Sequence, residues 1–117
     1  MHSEELLELA QTSLEDLKAR DIRVFDVRDM TSVTDYFLLA SGTSDRHVRS
    51  LSDKLVQNVK QAGHSPLGIE GQDAGEWILI DLNDVIVHVM QPRTREFYKL
   101  EDLWMLRPSG EMALVSN

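Results

Sequence analysis

Apolar residues recur along the chain at two different periods. Leu6, Ala10, Leu14 and Leu17 step by four, four and three, which aligns them on one side of a helix running from Glu4 to Arg20. Ser3 is placed to cap it, and Glu4, Glu5 and Glu8 suit the positive end of the helix dipole. Val48, Leu51, Leu55, Val59 and Ala62 step by three, four, four and three, predicting a second helix that starts at Ser44 and stops at a left-handed Gly63. Between the helices, Ile22 to Val27 is rich in β-formers. Tyr36 to Ala40 is almost continuously apolar and closes on Ser41-Gly42, the pattern of a central strand covered on both faces.

Beyond Pro66, Leu67-Gly68-Ile69 reads as a short strand followed by a turn through Gly71 and Gly75. Glu76 to Leu82 and Val85 to Met90 are two β-rich runs separated by Asn83-Asp84, a hairpin signal. Pro92 opens a final helix over Arg93 to Lys99, with a further turn through Leu100 to Trp104. These elements predict an α/β fold with a mixed sheet of about five strands, as one domain over residues 1–106 and a flexible C-terminal tail over 107–117.

The hairpin sorts its own side chains. A loop centred between Asn83 and Asp84 pairs residues whose numbers sum to 167. Ile78, Ile80 and Leu82 then share a face with Val89, Val87 and Val85, an aliphatic set fit only for a core. The other face sets Trp77 beside Met90, Leu79 beside His88 and Asp81 beside Ile86. A face so mixed has three readings: it is covered by another part of the chain, it docks a protein, or it binds a small molecule. Tryptophan and methionine ringed by acids are a composition enriched where one protein grips another.

Charge narrows the partner. Twelve Lys and Arg against twenty Asp and Glu leave a formal charge of −8 over 117 residues, a balance that a polyphosphate surface repels. From Ser65 to Gln91 the chain carries Glu70, Asp73, Glu76, Asp81 and Asp84 without one Lys or Arg, whereas Arg46, Arg49, Lys54 and Lys60 cluster just before. A basic protein partner fits that asymmetry, with little direct contact to nucleic acid. No apolar run approaches the ~20 residues of a membrane-spanning helix. The acidic N-terminus lacks the regions of a signal peptide, so the expected location is the cytoplasm.

Candidates for chemistry are weaker. The chain has no cysteine, and His2, His47, His64 and His88 lack the spacing of a metal site, so neither metal nor cofactor is expected. Ser41-Gly42-Thr43-Ser44 ahead of a helix resembles an anion cradle but lacks the lysine of a phosphate-binding loop, which favours a plain turn and cap. Asp81 and Asp84 flank the hairpin turn and form no Asp-x-Asp pair.

In order along residues 4 to 105, Asp35-Tyr36-Phe37, Ala40-Ser41-Gly42-Thr43-Ser44, Ile69-Glu70-Gly71, Glu76-Trp77, the run from Asp81 to His88, and Arg95-Glu96-Phe97-Tyr98 continuing to Trp104 together resemble the ribosomal silencing factor family (RsfS, Iojap-like). The resemblance implies a non-enzymatic repressor that binds the large ribosomal subunit through ribosomal protein L-fourteen and stops the small subunit from joining. It implies also a topology related to nucleotidyltransferases without their catalytic carboxylates. Combined with the mixed face, this gives a concrete expectation. Trp77 and Met90 anchor the contact, and Leu79 and His88 lie beside them. Glu70, Asp73 and Asp81 meet basic groups, and Tyr98 extends the patch, with Trp104 as a further candidate. The second helix lies away from the partner. Two alternatives stand beside it: a divalent-metal-dependent nucleotidyltransferase-type enzyme using Asp81 or Asp84, and a homodimer formed through the same face.

Overall fold

The structure, a computed structural model, describes residues 1–100. Its elements are α1 (Ser3–Asp16), β1 (Arg20–Asp26), β2 (Tyr36–Ser41), α2 (Asp45–Gln61), β3 (Gly68–Glu70), β4 (Trp77–Asp81), β5 (Val85–Met90) and α3 (Pro92–Tyr98). The five strands form one sheet in the order β1-β2-β5-β4-β3. β2 and β5 pair in parallel and every other neighbour is antiparallel, so the sheet is mixed, as the sequence predicts. The expected turn through Leu103 and Trp104, the boundary at residue 106 and the tail over 107–117 lie outside the described residues.

Both long helices close with the same hydrogen-bond pattern on different residues. At the end of α2, Gly63 takes φ +88. Its N–H meets the carbonyl of Lys60, and the next N–H, from His64, reaches Val59. α1 does the same one turn earlier than its periodicity predicts. Lys18 adopts φ +64, its N–H donates to Glu15 and that of Ala19 to Leu14. The helix therefore ends at Asp16 rather than Arg20, because a left-handed residue satisfies its last carbonyls there. The cap at its start is His2 rather than Ser3, and the His2 N–H donates to the Glu5 carboxylate at 2.9 Å. Ser44 caps α2 as expected, accepting from the His47 N–H at 3.1 Å.

α1 and α2 cover one face of the sheet. Leu6, Ala10 and Leu14 from α1 and Val48, Leu51, Leu55 and Val59 from α2 pack with Leu38, Ala40, Ile78, Ile80, Val85, Val87 and Val89 as one buried cluster. Side chains alternate across a strand, so the residues between these point to the opposite face. A smaller cluster of Val27, Phe37 and Leu39 sits there, flanked by Phe25, Met30, Ile86 and Leu100. All six residues of β2 are buried, which explains its continuous apolar sequence. Among the described residues no helix is long and apolar enough to cross a membrane.

Candidate functional site

The hairpin register follows the sum of 167 at every position: Trp77 pairs with Met90, Leu79 with His88 and Asp81 with Ile86. Leu82 and Val85 close it, and Asn83 takes the left-handed conformation at φ +76 that the first loop position needs. The face away from α1 and α2 therefore carries the expected mixed residues. β2 contributes Leu39 opposite His88 and Ser41 opposite Met90, and β3 contributes Glu70 opposite Leu79.

This face divides into a sealed half and an open half. Leu39, Met90, His88 and Phe37 are buried, whereas Trp77, Leu79 and Asp81 are only partly covered and Glu70 is exposed. α3 makes the division. It leaves β5 at Met90 and folds back, so that the buried Arg95 donates from Nη1 to Ser41 Oγ at 2.9 Å. Leu100 then joins Val27, Phe37 and Leu39. Met90 is 0% exposed, which corrects the expectation that it anchors a contact beside Trp77: it supports the sheet from within. His88, 6% exposed, is likewise withdrawn from the surface.

Glu70, Gly71, Trp77 and Leu79 line a shallow pocket of about 290 Å³ on the open half. Tyr98 borders it, its ring centroid 4.9 Å from that of Trp77, and Phe97 meets Tyr98 edge-on at 4.9 Å. Phe97 is 77% exposed and Tyr98 51%. Sequence reasoning missed Phe97 and Arg95. A seven-residue helix is too short for periodicity to say which of two adjacent aromatics faces inward, and here the buried residue is the arginine.

Two expected members stand apart from the pocket. The carbonyl of Asp73 accepts from Arg49 Nη1 at 3.2 Å while Arg49 Nη2 pairs with Asp45 at 3.0 Å, so the turn bearing Asp73 is drawn towards α2. The Asp81 carboxylate accepts the Asn83 N–H at 2.8 Å and thus serves the hairpin turn. Asp84 instead ties the hairpin to the start of β2, its carbonyl accepting the N–H groups of Asp35 and Tyr36 at 3.0 Å. Among the described residues no three His, Asp or Glu side chains gather as a metal site. At the glycine turn before α2, the Thr43 N–H donates to His47 Nδ1 at 2.8 Å and His47 Nε2 donates to the Leu17 carbonyl at 2.7 Å. That turn is occupied by its own chain, and neither feature favours the nucleotidyltransferase alternative.

Behind Trp77 lies His88. The indole Nε1–H donates to His88 Nδ1 at 2.8 Å, and the imidazole lies between the tilted rings of Phe37, at 4.5 Å, and Trp77, at 5.8 Å. Burial lowers the His88 pKa from 6.5 to about 4, so the ring is neutral at neutral pH and free to accept at Nδ1. The unfolded chain takes up this proton below pH ~6.5, whereas the fold resists it down to pH ~4. The stabilising contribution is thus complete above the unfolded value and lost as pH falls between the two, by about 3 kcal/mol. Urea unfolding of wild type and His88→Asn from pH 7 to 4 is expected to show wild type losing that much relative to the variant; a constant difference would mean that the buried ring accepts the proton freely.

Comparison with known proteins accounts for the whole described fold. The family model described as "Ribosomal silencing factor during starvation" matches residues 1–116. The ribosomal silencing factor RsfS of Haemophilus influenzae is 43% identical over 99 residues, covering 85% of this chain and 97% of that one. Its namesake in Bacillus subtilis is 33% identical over 117 residues, 100% and 99% of the two chains. A mouse protein named for mitochondrial assembly of the ribosomal large subunit is 42% identical over 92 residues, 76% of this chain and 40% of its own length. A crystal structure of a Chromobacterium violaceum protein superposes with a TM-score of 0.89 at 38% identity, over 99% of this chain and 98% of that one. With a model match along nearly its full length and relatives of this identity, the chain belongs to the ribosomal silencing factor family.

Proposed function

We propose that the chain represses translation by docking the open half of its sheet on ribosomal protein L-fourteen of the large ribosomal subunit, where its bulk keeps the small subunit from joining. One observation carries this reading: Trp77 stands partly uncovered in a pocket beside the exposed Glu70, on the face that α1 and α2 leave free. An aromatic wall next to a carboxylate suits a basic, partly apolar surface. The net charge of −8 makes the RNA of a ribosomal particle repulsive and a basic protein patch on it attractive, so charge selects where on the particle the chain settles. Steric exclusion requires no catalytic turnover, and no step of the proposed mechanism requires a cofactor. The mouse relative is named for large-subunit assembly, which the same contact would serve if made on an immature particle.

Sedimentation of purified subunits tests the proposal. The protein is expected to travel with the large subunit and not with the small one, and to reduce the yield of joined particles; joining at the normal level with the protein bound would refute steric exclusion. Glu70 tests the charge argument by itself, because reversing Asp81 would also damage the hairpin turn that its carboxylate holds. Glu70→Lys is expected to weaken binding about tenfold at low salt, with the difference shrinking as exposed charges are screened. A loss independent of salt would place Glu70 outside the contact.

A further inference from the structure

We infer that His88 is a positioning residue for docking: from inside the sheet, it fixes the orientation in which the Trp77 indole meets the partner. The inference rests on the reading of the open face as the docking surface, and it reassigns His88, which does not reach that surface.

The indole N–H is the one polar atom of a tryptophan side chain, and at a docking face it is ordinarily turned towards water or the partner. In this chain it points inward, to His88 Nδ1 at 2.8 Å. Rotating the ring over would break that bond and put an apolar edge against the imidazole. The indole is therefore held from two directions, by the inward hydrogen bond and by the Tyr98 ring at 4.9 Å. The acceptor has little freedom of its own. His88 is 6% exposed, its ring is wedged against Phe37 at 4.5 Å, and its backbone lies on β5, paired with β2 on one side and β4 on the other. Because Trp77 forms one wall of the pocket shared with Glu70, Gly71 and Leu79, the setting of the indole decides the shape that the partner meets.

The residue type supports the same conclusion. Position 88 neighbours Leu39 and Leu79 across the sheet, where an aliphatic side chain would be buried without the cost of taking an imidazole out of water. What histidine adds there is an acceptor at the distance of Nδ1, and the group that uses it is the Trp77 N–H.

The test measures co-sedimentation with purified large subunits and the indole ¹H–¹⁵N resonance of Trp77, which is identified by its loss in Trp77→Phe. His88→Leu removes the acceptor, and His88→Asn returns one at the distance of Nδ1 from Cβ. His88→Leu is expected to bind about tenfold more weakly while remaining folded by circular dichroism. Its Trp77 indole resonance is expected to move and to exchange faster with water, and His88→Asn should restore both binding and resonance. In a Trp77→Phe background, which lacks the N–H, replacing His88 by Leu should weaken binding no further. Wild-type affinity in His88→Leu, or an equal loss in the Trp77→Phe background, would overturn the assignment. Failure of the wild-type protein to co-sediment would refute the docking reading, while the resonance would still report whether His88 holds the indole. If His88→Leu does not fold, a Trp77 N–H that exchanges rapidly in the wild type or in His88→Asn overturns the assignment, and a protected one supports it.

Discussion

Trp77→Ala is expected to lower affinity for the large subunit about twentyfold while leaving the chain folded. Full burial of a tryptophan removes ~200 Å² from water, worth about 5 kcal/mol at ~25 cal/mol per Å² before association costs. In the free protein the ring is already mostly covered, with Tyr98 and His88 against it, so only the uncovered remainder, about 2 kcal/mol, is gained on docking. Truncation also removes the bond to His88 and the contact with Tyr98, at a cost to folding of about 1–2 kcal/mol, which a domain stable by ~5–15 kcal/mol tolerates. Binding titrations and thermal melts on one preparation separate the two effects. A variant that melts slightly earlier yet binds like wild type would remove Trp77 from the contact.

How much of this site could be read from the sequence depended on how local the governing physics was. The hairpin was legible because side-chain alternation and a two-residue loop fix its register without reference to anything distant, and every pairing from Trp77–Met90 to Asp81–Ile86 follows. Which side was core was legible for the same reason: Ile78, Ile80, Val87 and Val89 have only one way to escape water. Met90 was not legible. The register fixes its face, but its accessibility depends on α3 folding back from Pro92 with Arg95 reaching Ser41, a contact across 54 residues that no local period encodes. Asp73 fails similarly, since its acidic run suggests one surface while Arg49 draws its turn to another element. The end of α1 was hidden because Lys18 occupies the left-handed position that Gly63 announces openly at the end of α2. His88 lies on the face that the hairpin register predicts but is covered there, and its part in holding Trp77 emerges only once the two rings are placed.

The other large effect is expected at Gly71, where backbone geometry leaves no room for a side chain. Gly71 takes φ +92, and a Cβ built on it would run into the backbone carbonyl oxygen of Trp77. A flexible side chain could move aside, but this oxygen belongs to β4 and cannot shift without moving Trp77 itself. Gly71→Ala therefore combines a strained dihedral with a clash against a strand, and is expected to destabilise the fold by about 4 kcal/mol. Two further glycines calibrate the figure. Gly63 has φ +88 with nothing within 4 Å of a Cβ, so Gly63→Ala carries the dihedral strain alone, about 1–2 kcal/mol. Gly68 lies in β3 with open space around its Cβ position, and Gly68→Ala is expected to be neutral or to stabilise by up to ~1 kcal/mol by restricting the unfolded chain. Denaturant unfolding of the three variants should rank them Gly68, Gly63, Gly71 in increasing cost. Should Gly71→Ala unfold no earlier than Gly63→Ala, the turn after Glu70 is not seated against the Trp77 carbonyl, and the pocket wall formed by Glu70 and Gly71 loses its structural basis. If the ranking holds, the residue that closes the pocket on one side and the tryptophan that closes it on the other are set by a single backbone contact, so any substitution that opens the turn is expected to weaken docking together with stability.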